Sequence, residues 1–148
     1  MSWSREKLEK FLPIADAVSQ LSKDVNRKVG SLVLDPSYAI RSTGFNGFCK
    51  GADDSVLSRY VRPEKYFYTS HSESNSIAQA AATGTSTSGC AIVVSGLFPC
   101  AACARLIIQS GIVLVYAPKP DYTKERWAAD FEAAENMFEE CGIEVLTY

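Results

Sequence analysis

The sequence predicts an α/β fold with three layers (α/β/α), in which helices cover both sides of a five-stranded mixed sheet. Strand-length apolar runs alternate with helix-length segments after an initial hairpin, which predicts a sheet covered by helices. A whole helix separates the last two strands, so these strands should run parallel. Of the 148 residues, 47% are hydrophobic, enough to bury one sizeable core. We therefore expect a single domain over residues 1–148.

The first elements follow from helical spacing and a short turn. Apolar residues recur at helical spacing over residues 4–21, which predicts an amphipathic helix that Pro13 kinks or restarts near position 12. Residues 29–34 and 39–45 are predicted to be strands, with a turn at 35–38 between them. Strands joined by so short a turn are antiparallel.

A long connection over residues 46–70 follows this hairpin. A connection of this length in a compact domain is usually functional or partly structured. Asp53 or Asp54 is expected to cap a short helix within it, and Thr69 or Ser70 to cap the next long helix. The later elements are predicted as a helix at 71–82, a strand at 90–94, a helix at 100–110, a strand at 112–117, a helix at 124–141 and an edge strand at 143–146.

Composition and charge exclude several classes of protein. The net charge of −2 and the pI near 5.4 disfavour a protein that binds long nucleic acid, which needs a basic face. No apolar run approaches the roughly 20 residues of a membrane span, and the N-terminal segment lacks the apolar stretch of a secretory signal. Five cysteines, an odd number, suit a reducing cytosol, so we expect a cytoplasmic protein.

The chemistry centres on His71, the one histidine in the sequence, and on the pair Cys100 and Cys103. One imidazole and two thiolates supply three ligands for Zn²⁺ and leave the fourth tetrahedral position to water, as in a catalytic site. Zinc lowers the pKa of such a water towards neutrality, so that a nucleophile becomes available. Glu73, two residues after His71, cannot easily bind the same ion, but it can transfer protons beside it.

Each half of this pattern also has a simpler interpretation. A Cys-x-x-Cys pair in a cytosolic protein is typical of a redox motif or of half of a structural zinc site with four cysteine ligands, although the sequence holds no second such pair. A single histidine is more often a core or surface residue. The alternative from another class is therefore a non-catalytic module that is stabilised by zinc or active in redox chemistry. The order of all four residues favours the catalytic zinc site.

The order H-x-E followed by P-C-x-x-C is the signature of the zinc-dependent nucleobase deaminases, and further motifs resemble the deoxycytidylate (dCMP) deaminase family. That family shows K-V-G, G-Y-N-G and H-A-E-x-N-A-I where this chain has RKVG at 27–30, GFNG at 44–47 and HSESNSI at 71–77. The segment 106–112 is similar as well. The resemblance covers most of residues 20–146.

The resemblance implies a cytidine-deaminase-like fold and the hydrolytic deamination of dCMP to dUMP and ammonia by a zinc-activated water, with Glu73 as the proton shuttle. It also implies a homo-oligomer, usually a hexamer in the family, and dCTP and dTTP as candidate effectors. The alternative within the fold is a deaminase of dCTP or of another cytosine nucleoside or nucleotide.

The same resemblance implies substrate contacts from Asn46, Arg27 and Tyr122, although an Asn-Gly pair can also be simply a turn. Ser72 and Phe98 stand where the family usually has alanine and serine. We expect them to contribute through their backbones, and the bulk of Phe98 could reshape the pocket. A 5′-phosphate is best bound by basic side chains. The candidates are Arg27, Lys28, Lys50, Arg62, Lys65, Lys119, Lys124 and Arg126.

Overall fold

The computed structural model describes residues 2–148. The first half of the chain forms α1 (Arg5–Glu9), α2 (Leu12–Ser19), β1 (Gly30–Leu34), β2 (Ile40–Phe45), β3 (Gly47–Phe48), a 3₁₀ helix (Leu57–Tyr60), α3 (Lys65–Tyr68) and β4 (Thr69–Ser70). The second half forms α4 (Ser72–Ala82), β5 (Ala91–Ser95), α5 (Ala101–Gln109), β6 (Leu114–Ala117), α6 (Glu125–Glu140) and β7 (Glu144–Thr147). Outside the connection 46–70, every predicted strand and helix is present, although the first helix is divided.

The main sheet has five strands in the order β2-β1-β5-β6-β7. Strand β1 lies between β2 and β5 and runs antiparallel to both, whereas β5, β6 and β7 run parallel to one another. Helix α5 connects β5 to β6, and α6 connects β6 to β7, because parallel neighbours need a crossover longer than a turn. The prediction of a mixed five-stranded sheet with parallel last strands is confirmed.

Helices cover both faces of this sheet, so the three predicted layers are present. Helices α1 and α2 cover one face, over a core formed by Leu8, Ala15, Leu32, Leu34, Ala91, Val93, Leu114 and Tyr116. Helices α4, α5 and α6 cover the other face, over a larger core that includes Val33, Ile77, Ile92, Ile107, Val115, Phe131 and Phe138. Within residues 2–148, no helix is long and apolar enough to cross a membrane.

The predicted N-terminal helix is divided into α1 and α2. Ser4 caps α1 through its hydroxyl, which accepts a hydrogen bond from the Lys7 backbone N–H (3.4 Å). Pro13 lies in the first turn of α2, where the N–H groups have no partner within the helix and a proline removes no hydrogen bond. Helix α2 begins at Leu12, which confirms the predicted restart.

Helix α4 lies very close to β2 because residue 44 is a glycine. A Cβ atom at Gly44 would overlap the backbone of Ser72 and Ser76. The Ser31 hydroxyl on β1 donates a hydrogen bond to the Ser72 carbonyl (2.8 Å). One turn later, the Ser42 hydroxyl on β2 donates to the Ser76 carbonyl (2.8 Å). These contacts fix the N-terminal half of α4 against the sheet.

The connection 46–70 is partly structured, as expected, but the predicted caps are wrong. Asp53 accepts hydrogen bonds from the backbone and the hydroxyl of Ser55 and so forms a local turn, whereas the 3₁₀ helix has Val56 at its N-cap. Asp54 pairs instead with Lys23.

The predicted caps of α4 are wrong as well. Thr69 and Ser70 form β4, which pairs with β3 in a separate two-stranded sheet. The N-cap position of α4 is occupied by His71, which makes no side-chain cap. Strand pairing holds the two hydroxyl residues outside the helix, so they do not begin it.

Candidate metal centre and active site

The three predicted metal ligands lie together at the starts of two helices. His71 is the N-cap residue of α4 and Cys100 is that of α5, and both have an extended backbone. Cys103 follows in the first turn of α5, three positions after Cys100, so both cysteines lie on one side of the helix. The motif therefore brings two helix N-termini to one point.

The geometry of these side chains fits a tetrahedral zinc ion. The Nδ1 atom of His71 lies 3.4 Å from the Sγ atom of each cysteine, and the three donor atoms lie within 4.8 Å of one another. Zn–S bonds of about 2.3 Å and Zn–N bonds of about 2.0–2.1 Å at a tetrahedral angle place nitrogen and sulfur roughly 3.6 Å apart. The observed separations are close to that value. The cysteines are therefore part of a three-donor set rather than an isolated redox pair.

The three donors shift one another's pKa values. A hydrogen bond from Cys103 is the main cause of the lowered pKa of the Cys100 thiol. The same bond, together with burial, raises the pKa of the Cys103 thiol. The hydrogen bond with Cys100 raises the pKa of His71. A metal ion would replace these protons, because cysteine binds metals as a thiolate and histidine as a neutral imidazole.

Neighbouring side chains hold the donor set in place. Asp130 on α6 accepts a hydrogen bond from the Ala101 N–H at the start of α5 (3.1 Å). The Ser74 hydroxyl lies 3.6 Å from the sulfur of Cys103. Trp127 packs edge-on against the His71 ring, with 6.2 Å between the ring centroids. Helices α4 and α6 therefore support the ligands from two sides.

Glu73 lies beside the donor set and is almost fully buried, with 4% of its surface exposed. The Ser72 hydroxyl donates a hydrogen bond to Oε2 of its carboxylate (3.1 Å), and the sulfur of Cys103 lies 3.9 Å from the same oxygen. Burial raises the pKa of the Glu73 carboxyl. A raised pKa suits a group that must hold a proton near neutral pH.

A cavity of about 270 Å³ lies against His71, Glu73 and Cys100. Its wall includes four of the predicted substrate contacts, namely Arg27, Asn46, Ser72 and Phe98. Of the predicted basic residues, the cavity is lined by Arg27, Arg62, Lys65 and Arg126. The other four do not line it; Lys50, for example, donates a hydrogen bond to the Gln79 side chain (3.0 Å).

Aromatic residues that no sequence motif marks as functional lie beside these cations. The Arg126 guanidinium lies over the ring of Tyr66 (4.1 Å) and over that of Trp127 (4.9 Å). Arg62 also lies over Tyr66 (5.9 Å). These cation–π contacts link α3 to α6 along the cavity wall. The aromatic run at 66–68 was the available signal, but only the fold places it against α6.

The amide of Asn46 is engaged with the backbone of the cavity wall. Its Oδ1 accepts a hydrogen bond from the Val29 N–H (2.8 Å), and its Nδ2 donates to the Arg27 carbonyl (2.9 Å). Asn46 thereby holds the segment that carries Arg27, and its predicted contact with a substrate stays a prediction.

Asp24, which lies in no recognisable sequence motif, forms a salt bridge with Lys65 (2.7 Å) on the same wall. Burial alone would raise the pKa of the Asp24 carboxyl. The hydrogen bond from Lys65 and those from two backbone N–H groups outweigh burial and lower it. Asp24 is therefore an anion that neutralises one of the cavity's cations.

Phe98 lines the cavity although its ring packs in the core, whereas Tyr122 lies away from the cavity. The Phe98 ring packs edge-on against Phe131 and Phe138 in the core, with centroids 5.8 and 6.2 Å away. Its bulk therefore fills the core rather than the cavity. Tyr122 does not line the cavity; its exposed side chain lies near Glu135 on α6. The structure gives the predicted substrate contact of Tyr122 no support.

Residues 5–118 match the family model described as the cytidine and deoxycytidylate deaminase zinc-binding region. A protein of Aliivibrio fischeri described as an uncharacterized deaminase in the luxG 3′ region is 36% identical over 139 residues, which cover 93% of this chain and 90% of that protein. The deoxycytidylate deaminase of Homo sapiens is 38% identical over 109 residues, which cover 70% of this chain and 60% of that protein. The match thus spans about three fifths of the human enzyme.

The fold has a close counterpart in a crystal structure of the dCMP deaminase from the cyanophage S-TIM5 in complex with dCMP and dUMP. The TM-score is 0.77 at 22% sequence identity, and the alignment covers 99% of this chain and 100% of the phage protein. At this identity the likeness concerns the fold, whereas the family model covers most of the chain by sequence. The chain belongs to the zinc-dependent cytidine and deoxycytidylate deaminase family.

Proposed function

We propose that this protein hydrolyses dCMP to dUMP and ammonia. The observation that carries the proposal is a buried Glu73 that lies beside the donor set of His71, Cys100 and Cys103, on the wall of a cavity rich in cations. The human relative is named a deoxycytidylate deaminase, and the phage structure is described as a complex with dCMP and dUMP. These names support the same substrate for this chain.

Hydrolysis of the C–N bond requires several proton transfers, and Glu73 is placed to make them. Zinc, when held by the three ligands, supplies a water of lowered pKa as the nucleophile. The Glu73 carboxylate takes one proton from the attacking water and delivers it to the ring nitrogen of cytosine. It then takes the remaining proton of the added hydroxyl and gives it to the amine, so that the C–N bond breaks and ammonia leaves. Burial supports this role, because it raises the pKa of Glu73 and lets the carboxyl hold a proton between transfers.

The cations of the cavity support a substrate that carries a phosphate. Lys65 is neutralised by Asp24, which leaves Arg27, Arg62 and Arg126 on the cavity wall. Arginine is the preferred partner of phosphate because its planar guanidinium can donate two parallel hydrogen bonds. A bare nucleoside offers no anion to these groups. We therefore infer that the 5′-phosphate is part of what the site recognises.

The size of the cavity favours a monophosphate over a triphosphate. Its volume of about 270 Å³ lies just below the roughly 300–1,000 Å³ that is typical of small-molecule sites. A triphosphate would need more room and more cations than this wall provides. dCTP is therefore the second candidate substrate.

The experiment that tests this function compares kcat/KM for cytosine, cytidine, deoxycytidine, dCMP and dCTP with the zinc-loaded protein. We expect the highest value for dCMP. Equal efficiency on deoxycytidine would mean that the phosphate is not recognised. Failure to release ammonia from any of the five compounds would contradict the proposed reaction.

A pair of variants sharpens the comparison. Arg126→Gln removes a cation of the cavity wall, whereas Lys50→Gln removes one that does not line it. We expect Arg126→Gln to lower kcat/KM for dCMP by about tenfold, the scale of a hydrogen bond to a charged group, with little change for deoxycytidine. Lys50→Gln should change neither value.

We further propose that the protein acts as a homo-oligomer in the cytoplasm. The oligomer follows from the family resemblance, and Leu57 and Phe67 on the connection, which are 79% and 83% exposed, are the apolar side chains to mutate in testing for a subunit contact. The five cysteines are all unpaired thiols, which suits a reducing compartment. The hexamer and the effectors dCTP and dTTP follow from family resemblance, and light scattering with and without these nucleotides tests both.

A further inference from the structure

Residue 72 is a serine in this chain, where the family motif has alanine. Its side chain is fully buried in the first turn of α4, on the wall of the cavity. A buried hydroxyl is costly unless it has a hydrogen-bond partner. The partner of Ser72 Oγ is Oε2 of the Glu73 carboxylate, 3.1 Å away.

The position of Ser72 is held independently of Glu73. The Ser31 hydroxyl donates a hydrogen bond to the Ser72 carbonyl (2.8 Å), and Gly44 allows β2 to approach the same backbone. Neighbouring residues on a helix do not usually face each other. Helical side chains lean towards the N-terminus, however, so the long Glu73 side chain can reach back to Ser72. The backbone that carries the Ser72 hydroxyl is therefore held in place by contacts other than those of Glu73.

Both side-chain contacts of the Glu73 carboxylate fall on Oε2, one from Ser72 and one from the sulfur of Cys103. A cysteine that binds a metal does so as a thiolate and has no hydrogen to donate. When a metal is bound, Ser72 is therefore the one side chain among residues 2–148 that still donates a hydrogen bond to the Glu73 carboxylate. We propose that Ser72 is a positioning residue that holds Oε2 of Glu73 and thereby fixes the orientation of the carboxylate.

This inference rests on the proposed role of Glu73 as the proton carrier. Proton transfer is sensitive to the placement of the carrier, and small displacements of a reacting group are costly. A hydroxyl on the neighbouring residue can fix the orientation of the carboxylate through one hydrogen bond. Outer contacts of this kind typically change activity by about 10–100-fold when they are removed.

The chain provides a matched control on the same helix. Ser76 is also fully buried, but its hydroxyl donates to the backbone carbonyl of Glu73 (2.9 Å) rather than to the carboxylate. Ser72→Ala and Ser76→Ala therefore remove the same group at the same burial. A general loss of helix packing would lower the kcat of both variants, whereas loss of carboxylate positioning would lower the kcat of Ser72→Ala only.

The kinetic test compares these variants with dCMP as substrate after zinc analysis of each protein. We expect Ser72→Ala to keep its zinc and its KM and to lose about tenfold in kcat, whereas Ser76→Ala stays within about twofold of the unmodified chain in kcat. In a Glu73→Gln background, Ser72→Ala should have no further effect, because the group that it positions is gone. Three results would each overturn the proposal. The first is a kcat of Ser72→Ala within about twofold of that of the unmodified chain, and the second is a fall in kcat on adding Ser72→Ala to Glu73→Gln that equals its fall in the unmodified chain. The third is loss of zinc from Ser72→Ala.

A structural readout separates this inference from the proposed function. Crystal structures of both variants should be determined with zinc bound. In Ser72→Ala the Glu73 carboxylate should be reoriented or occupy several conformers, whereas in Ser76→Ala it should be unchanged. This result does not depend on which cytosine compound is the substrate. If the unmodified protein deaminates none of the five compounds, the proposed function is wrong. If the Glu73 carboxylate keeps its orientation in Ser72→Ala, the positioning role of Ser72 is wrong.

Discussion

The helices on the two faces of the sheet are held by different kinds of contact. Helices α1 and α2 pack on their face through apolar side chains such as Leu8, Leu32 and Leu114, all fully buried. Helix α4 packs on the opposite face with hydroxyl donors on the strands: Ser31 and Ser42 donate hydrogen bonds to its backbone. The face that carries His71 and Glu73 thus has two buried hydrogen bonds from the strands to a helix backbone, whereas the hydrogen bond from Arg5 on α1 to the Thr147 carbonyl on the other face is exposed.

This difference reflects what each face must do. Apolar burial is favourable in many orientations, so it stabilises a layer of helices without fixing each residue to a fraction of an ångström. A hydrogen bond depends on both distance and angle, and a network of them holds a helix in one register. The start of α4 carries the predicted metal ligand His71 and the proposed proton carrier Glu73, and the placement of such groups determines the chemistry of a site. The α1–α2 face carries no residue of the donor set.

The largest effect is expected from removing the ligands on the site-bearing face. Cys100→Ala combined with Cys103→Ala deletes two of the three donors, and the remaining imidazole cannot hold zinc alone. We expect loss of zinc, measured by elemental analysis, and no detectable turnover of dCMP. The control is Cys141→Ala, because Cys141 is exposed and lies outside the donor set. Full zinc content in the double variant would disprove the assignment of the site.

A smaller but still large effect is expected from Glu73→Gln. The amide has the shape of the carboxyl but cannot carry the proton, so kcat should fall by about 10²-fold or more, with zinc retained. Stability should not suffer, since a neutral amide avoids the cost of burying a charge. The matched control on the other face is Glu6→Gln, because Glu6 is an exposed acid in the first turn of α1. Wild-type activity in Glu73→Gln would refute its role as the shuttle.

Both the framework of the fold and its donor set could be predicted because their signals are local. Strand and helix positions follow from periodicity, and turns and proline mark their limits. Two motifs at the starts of α4 and α5 sufficed to predict that His71, Cys100 and Cys103 lie together, because metal ligands are restricted to few residue types. The caps were less predictable. Strand pairing outcompeted the capping propensity of Thr69 and Ser70, and that pairing is a tertiary contact.

The rest of the site depends on contacts between distant segments. Asp24 meets Lys65, and Tyr66 meets Arg126, across 41 and 60 positions of the chain. No short pattern in the sequence contains such a pair. The hydrogen bond from Ser72 to Glu73 joins neighbours, yet it too depends on how far Glu73 turns back over the helix start. Side-chain orientation of this kind is fixed by packing and is not visible in spacing.

The smallest effects on turnover are expected from a pair of neighbours on β1 that point to opposite faces. Leu32 is fully buried against α1 and α2, whereas the hydroxyl of Ser31 holds the Ser72 carbonyl on α4. Leu32→Ala should lower the free energy of unfolding by about 2–5 kcal/mol through loss of apolar burial and the cavity left behind. Ser31→Ala should lower it by only about 1 kcal/mol, the usual net value of a hydrogen bond.

Turnover should follow the opposite order: Leu32→Ala keeps the kcat of the unmodified chain, and Ser31→Ala has a lower kcat, because the support of Ser72 and Glu73 is weakened. Urea unfolding and kcat for dCMP, measured on the same preparations, decide this. If the variant that loses more stability also loses more turnover, the two faces do not divide stability and positioning between them.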